Sequence, residues 1–163
     1  MPYTADATIM PALMALHECL CAELTKSGLD ASCECALVHG AAVSVAPPAV
    51  GRGYAWVGLD SIVPSKTFPV QDSTASNCPS PLVANVTVGI LRCYAVKVNG
   101  ESSEQMLLYM DKQMADMAAM RRAILCCAAL TDDVMLGSYT PIGPEGGVYG
   151  GSWSVYLGQS NGY

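Results

Sequence analysis

Apolar residues first recur in this chain at spacings of four and three. Ile9, Leu13, Leu16, Leu20 and Leu24 form one stripe, the mark of an amphipathic helix. The stripe predicts a first helix over Thr8–Lys26, within 7–27. Pro11 is tolerated in its first turn, and Ser27-Gly28 stops it. A strand is expected over Ala36–Val45, ended by Pro47-Pro48. A second spans Tyr54–Val63, with Ala55, Val57, Leu59 and Val63 on one face and Tyr54 and Trp56 on the other. Residues 64–81 carry Pro, Ser, Thr, Asn and Asp and read as a loop, long enough to suspect a contact role. Leu82–Val98 alternates, placing Leu82, Ala84, Val86, Val88, Ile90, Tyr94, Val96 and Val98 on one face, with Arg92 interrupting. Fully extended it would reach over about 50 Å, whereas a compact domain of this size is about 40 Å across. It must bend at Gly89, break near Arg92 or project.

Asn99-Gly100 signals a turn. Ser102-x-x-Gln105 is a capping-box pattern opening a second helix over Ser102–Leu130, within 101–131. Its expected apolar stripe is Met106, Met110, Met114, Met117, Ile124 and Ala128, interrupted by Arg121, with Lys112 and Asp116 on the polar face. Gly137–Gly151 is a Gly/Pro-rich loop or irregular hairpin. Ser152–Leu157 alternates, with Trp153, Val155 and Leu157 together, and 158–163 is a loose tail. The order helix, strand, strand, strand, helix, strand predicts a single α+β domain over 1–163, with a small mixed or antiparallel sheet packed against two main helices. The candidate core is Leu13, Leu16, Leu20, Val57, Val88, Ile90, Met110, Met114, Trp153 and Val155.

Composition sharpens this picture. The chain has 163 residues, of which 52% are hydrophobic and only 13% charged, against about 25% charged in average soluble domains. Much of the surface must therefore be apolar, and a subunit interface would cover some of it. No run approaches the roughly 20 apolar residues of a membrane span. A net charge of −6 argues against a sequence-reading nucleic-acid binder, but an acidic wall suits a duct along which DNA slides without sticking. The N-terminus lacks the basic and apolar regions of a signal peptide, so the expected site of synthesis is a reducing cytoplasm. The eight cysteines are then expected as buried thiols.

The Cys-x-Cys pairs Cys19/Cys21 and Cys33/Cys35 could supply thiolates to a zinc ion. However, helix residues two apart point about 200° apart, so Cys19 and Cys21 diverge, and the spacing is not a usual zinc pattern. No metal or cofactor is expected. Cys126 and Cys127 also diverge, and no spacing of His17 or His39 to a cysteine matches a nucleophile signature, so no catalytic residue is assigned. Gly146-Gly147 and Gly150-Gly151 lack the Lys-Ser/Thr of a phosphate loop. The five methionines between Met106 and Met120 suit core filling or an adaptable contact surface. Arg92 is expected to be paired or to project into an interface. Arg121 and Arg122 are expected on a solvated face or against a neighbour's carboxylates.

Several short motifs fall in an ordered series: Cys19-Leu20-Cys21, Ala55-Trp56-Val57, Pro64-Ser65, Phe68-Pro69, Val88-Gly89-Ile90-Leu91-Arg92-Cys93, Gly143-Pro144-Glu145-Gly146-Gly147 and Gly150-Gly151-Ser152-Trp153. In this order the chain resembles the tail-terminator (tail-completion) proteins of long-tailed, siphovirus-type bacteriophages. The likeness is greatest to the small head-to-tail connector proteins of phages infecting actinobacteria. The resemblance implies a structural virion protein, assembled in the host cytoplasm into a homo-oligomeric ring, usually a hexamer, at the head-tail interface. Such a ring ends growth of the tail tube, meets a head-closure (stopper) or adaptor protein, and passes genomic DNA without sequence-specific binding. It has no catalytic residues to transfer. Each subunit of a cyclic ring offers two different patches. Candidates for them are the Leu82–Val98 strand, the loop at 64–81 and the Gly-rich hairpin, with Phe68, Arg92, Tyr94, Val96 and Tyr149 as contact residues. Two alternatives remain: a neighbouring head-closure or stopper protein, and, from a different class, a cysteine-rich metal-binding module.

Overall fold

A computed structural model describes residues 9–26, 34–39, 52–72, 81–130 and 133–158. The elements run α1 (Ile9–Lys26), β1 (Glu34–His39), β2 (Gly53–Pro64), β3 (Leu82–Cys93), α2 (Ser103–Leu125), β4 (Val134–Glu145) and β5 (Val148–Gly158). They form an α+β fold with a five-stranded sheet in the order β1-β2-β3-β5-β4. Only β1 and β2 run parallel; the remaining pairs are antiparallel. Both helices pack on one face of the sheet. Between them lies a core of Leu13, Leu16, Leu20 and Leu24 from α1, Met120, Ala123 and Ile124 from α2, and Ala55, Val57, Val86, Val88, Ile90, Val155 and Leu157 from the sheet. Trp153 is half-buried against this core. No helix among the described residues is long and apolar enough to cross a membrane.

The alternation in β2 holds as far as Leu59. A bulge between Leu59 and Ser61 then inserts one residue. Such an insertion reverses the side-chain parity, so Ile62 pairs with Ala84 on the helix face and Val63 pairs with Val83 on the other. Val63 therefore does not share the face of Ala55 and Val57. On the far face the Trp56 indole lies over Gly89, where any Cβ would collide with it. Gly89 gives room to a ring and does not bend the strand. β3 ends at Cys93, one residue after Arg92, resolving the excess length as a break. Twelve residues span about 40 Å, the width of the domain.

The expected Gly-rich loop is a long hairpin. Gly146 and Gly147 both have positive φ, 60° and 84°, the geometry of a two-residue type I′ turn. β1 is one edge of the sheet and β4 the other. Its prolines, Pro141 and Pro144, and its register shifts at Leu136/Tyr139 and Ile142/Glu145 make it a poor template for further strand pairing. The Ser102 hydroxyl caps α2, accepting a hydrogen bond from the Gln105 amide at 3.2 Å.

The buried face of α2 differs from the expected stripe. Gln113, Asp116, Ala119, Met120, Ala123 and Ile124 are buried. Met110 and Met114, expected in the core, are exposed at 59% and 40%. The cause is polar. Asp116 turns inward to meet Arg92 in a bidentate pair, Nε–Oδ2 2.6 Å and Nη2–Oδ1 2.8 Å, and Gln113 donates to the carbonyls of Ile142 and Gly150 in the hairpin. These contacts fix the helix rotation and carry the methionine stripe outward.

Cysteine usage is also corrected. Cys19 is bonded to Cys127 and Cys21 to Cys35, while Cys93 and Cys126 are free thiols. Cys19 and Cys21 do diverge, each to a different partner. The α1 C-terminal half lies between β1 and the turn after α2, bringing the paired Cα atoms to 5.7 and 6.0 Å, within disulfide reach. Cys33, Cys78, the strand end at 40–45, the loop segment 73–80 and the tail 159–163 lie outside the described residues.

Candidate functional site

The α2 N-terminal half carries the largest run of uncovered apolar side chains among the described residues. Met106, Leu107, Leu108, Met110 and Met114 are between 40% and 66% exposed. Met106, Leu107, Met110 and Met114 lie three and four residues apart, so they share one helix face. Val96 and Val98, in the segment leading to the helix, are exposed at 67% and 103%. Contiguous apolar surface rimmed by polar groups marks interaction sites more often than isolated exposed residues do.

An open groove of about 430 Å³ runs along this face, lined by Met106, Leu107 and Met110 on one side and Pro144 and Tyr149 on the other. Its floor is rigid. Tyr94, Tyr109 and Tyr149 form a cluster with ring centroids 5.0, 4.7 and 6.1 Å apart, tying the strand exit, α2 and β5 together. Glu101 stands at the groove end, its side chain only 9% exposed, with Lys97 Nζ 3.3 Å from its carboxylate. Burial, and after it the negative charge of Glu101, raises the Tyr109 phenol above its ordinary pKa, so the ring stays neutral. Glu104 and Asp111 line a shallower hollow beside Leu107, Leu108 and Met110. The arrangement is an apolar strip with an acidic margin, suited to another protein's apolar and basic side chains.

The expected contact residues separate into two groups. Val96 is exposed, and Tyr94 is half-buried in the tyrosine cluster. Phe68, after which the peptide to Pro69 is cis, lies half-buried against Gly158 of its own β5. Arg92 and Tyr149 are buried at 7% and 4%: Arg92 is held by Asp116, the paired one of its two expected states, and Tyr149 lines the groove. Arg122 pairs with Glu23 of α1, Nε–Oε1 2.6 Å, joining the two helices. Met110 and Met114 were assigned to the core, and their exposure fits instead the other reading of the methionine run, an adaptable contact surface. The signal lay in Gln113 and Asp116, spaced like core residues along the helix beside small alanines, opposite a lone arginine in an apolar strand.

A second cluster lies at the other end of the helical layer. His17, Cys21 and Cys35 place their ligand atoms within 4.8 Å of one another, with His17 Nε2 3.6 Å from Cys21 Sγ. No protein-family model matches the chain, and no curated protein matches it.

Proposed function

We propose that this chain is a ring-forming structural protein of a long-tailed phage virion, the tail terminator that ends the tail tube and joins it to the head connector. The observation that carries the proposal is the uncovered α2 face, from Met106 to Met114, beside a preformed groove. A lone subunit would leave that face in water at a cost of about 25 cal/mol per Å² of apolar area, and a head-to-tail neighbour removes the cost. The resemblance in motif order supplies the kind of ring. Two helices over a five-stranded sheet support the terminator over the more β-barrel-like stopper. The net charge of −6 suits a lumen through which DNA passes without adhering. In this reading the partners are copies of the chain, most simply six, the tail tube protein, a head-closure or adaptor protein, and DNA in transit. No enzymatic step is assigned.

Sedimentation of the full chain with and without tube subunits tests the proposal. The chain alone is expected to be a monomer or weak oligomer, and to co-sediment as a ring with tubes. Leu107→Glu with Met110→Glu should abolish co-sedimentation without lowering the melting temperature. A folded monomer with no affinity for tubes would refute the proposal.

A further inference from the structure

We infer that His17, Cys21 and Cys35 form a binding site for a zinc-type divalent cation when the Cys21–Cys35 bond is reduced, so that this corner of the fold is closed either by a disulfide or by a metal. The inference is independent of the ring proposal. His17 and Cys21 are four residues apart on α1 and share one helix face. Cys35 comes from β1, on the strand face that packs against the core. All three side chains are partly buried and their ligand atoms lie within 4.8 Å.

The geometry fits zinc. Zinc–sulfur and zinc–nitrogen bonds of about 2.3 and 2.05 Å, at a tetrahedral angle, place nitrogen and sulfur about 3.6 Å apart. His17 Nε2 and Cys21 Sγ already stand at 3.6 Å. Two thiolates on one such ion stand about 3.8 Å apart. The Cys21 and Cys35 Cα atoms are 6.0 Å apart, and rotation about each Cα–Cβ bond re-aims the sulfurs over that span. One nitrogen and two thiolate sulfurs are a donor set that favours zinc over magnesium or calcium. Three protein ligands leave a fourth position for water or an outside group.

The chemistry balances. A dithiol reductant gives two electrons and two protons to the disulfide, yielding two thiols and its own disulfide. The cation then displaces both thiol protons and binds two thiolates and the neutral imidazole. Oxidation reverses the sequence and expels the ion. The neighbouring Cys19–Cys127 bond holds α1 to the turn after α2 and takes no part.

The test uses the full chain carrying Cys33→Ser, Cys78→Ser, Cys93→Ser and Cys126→Ser, with the unsubstituted chain in parallel. Each is reduced with a phosphine under inert gas and titrated with Co²⁺, reading the thiolate-to-cobalt absorption, and Zn²⁺ competition then gives the affinity. One ion per chain is expected, and none in the oxidised protein. Cys21→Ser or Cys35→Ser should weaken binding more than about 100-fold, beyond the loss typical of outer partners. His17→Ala should weaken it at least about 10-fold, and Cys19→Ser with Cys127→Ser should leave it unchanged. His17→Ala retains both disulfides, so its fold is checked by melting the oxidised form. Absence of binding by the reduced chain, or binding indifferent to His17 and Cys21, would overturn the inference. So would binding that depends on Cys19 and Cys127 instead.

Discussion

The most consequential single contact is the pair between Arg92 and Asp116. Their side chains are 8% and 1% exposed, and both guanidinium–carboxylate hydrogen bonds are short, at 2.6 and 2.8 Å. Asp116→Ala leaves a guanidinium inside the fold without its counter-charge. Breaking such a buried pair costs about 3–5 kcal/mol, about a fifth or more of the roughly 5–15 kcal/mol that holds a typical domain folded. At about 2–4 °C per kcal/mol for a chain of this size, the melting temperature should fall by about 10 °C. Replacing both partners, as Arg92→Met with Asp116→Leu, removes the stranded charge and should recover most of the loss. Urea unfolding followed by circular dichroism, with the disulfides intact, measures Asp116→Ala, the single changes Arg92→Met and Asp116→Leu, and the double variant. A loss under about 1 kcal/mol for Asp116→Ala would refute the reasoning, as would a double variant as unstable as the sum of the singles.

Trp153→Ala removes a ring that packs at a tilt against Tyr139, centroids 5.3 Å apart, and donates to the Met117 carbonyl at 3.2 Å, and should cost about 3–5 kcal/mol in the same assay. Cys19→Ser should destabilise the oxidised protein more than Cys21→Ser. The first opens a loop with sequence separation 108 and the second one of 14, worth about 4.7 and 3 kcal/mol by chain entropy; calorimetry of the two variants checks the order. Cys126 is exposed, whereas Cys93 is half-buried with its thiol raised by burial. A raised thiol carries less reactive thiolate at neutral pH, so timed maleimide labelling with mass spectrometry should find Cys126 modified first.

Local patterns made much of the fold legible. The α1 stripe, the capping Ser102, the alternation of β3 and the Trp153 strand each reflect a period or a side-chain bond that neighbours in sequence decide. Features set by distant partners were not legible. Met110 and Met114 have the same apolar character and spacing as core residues; only the inward pull of Arg92 on Asp116 and of the hairpin carbonyls on Gln113 turns them out. Asp60 shifts the parity of β2 because the β3 register demands it. The hairpin was hidden by its own edge protection, since the prolines and glycines that keep β4 from pairing outward also read as loop. The cysteine pairs were hidden because their closeness comes from helix-on-sheet packing across sequence separations of 108 and 14.

Imaging the neck of an intact particle by electron cryomicroscopy tests the ring reading most directly. The account predicts a closed ring of this chain at the head-proximal end of the tail tube, with Met106, Leu107 and Met110 covered by the adjoining copy. Density in which that helix face meets only solvent, or a particle from which the chain is missing, would contradict it.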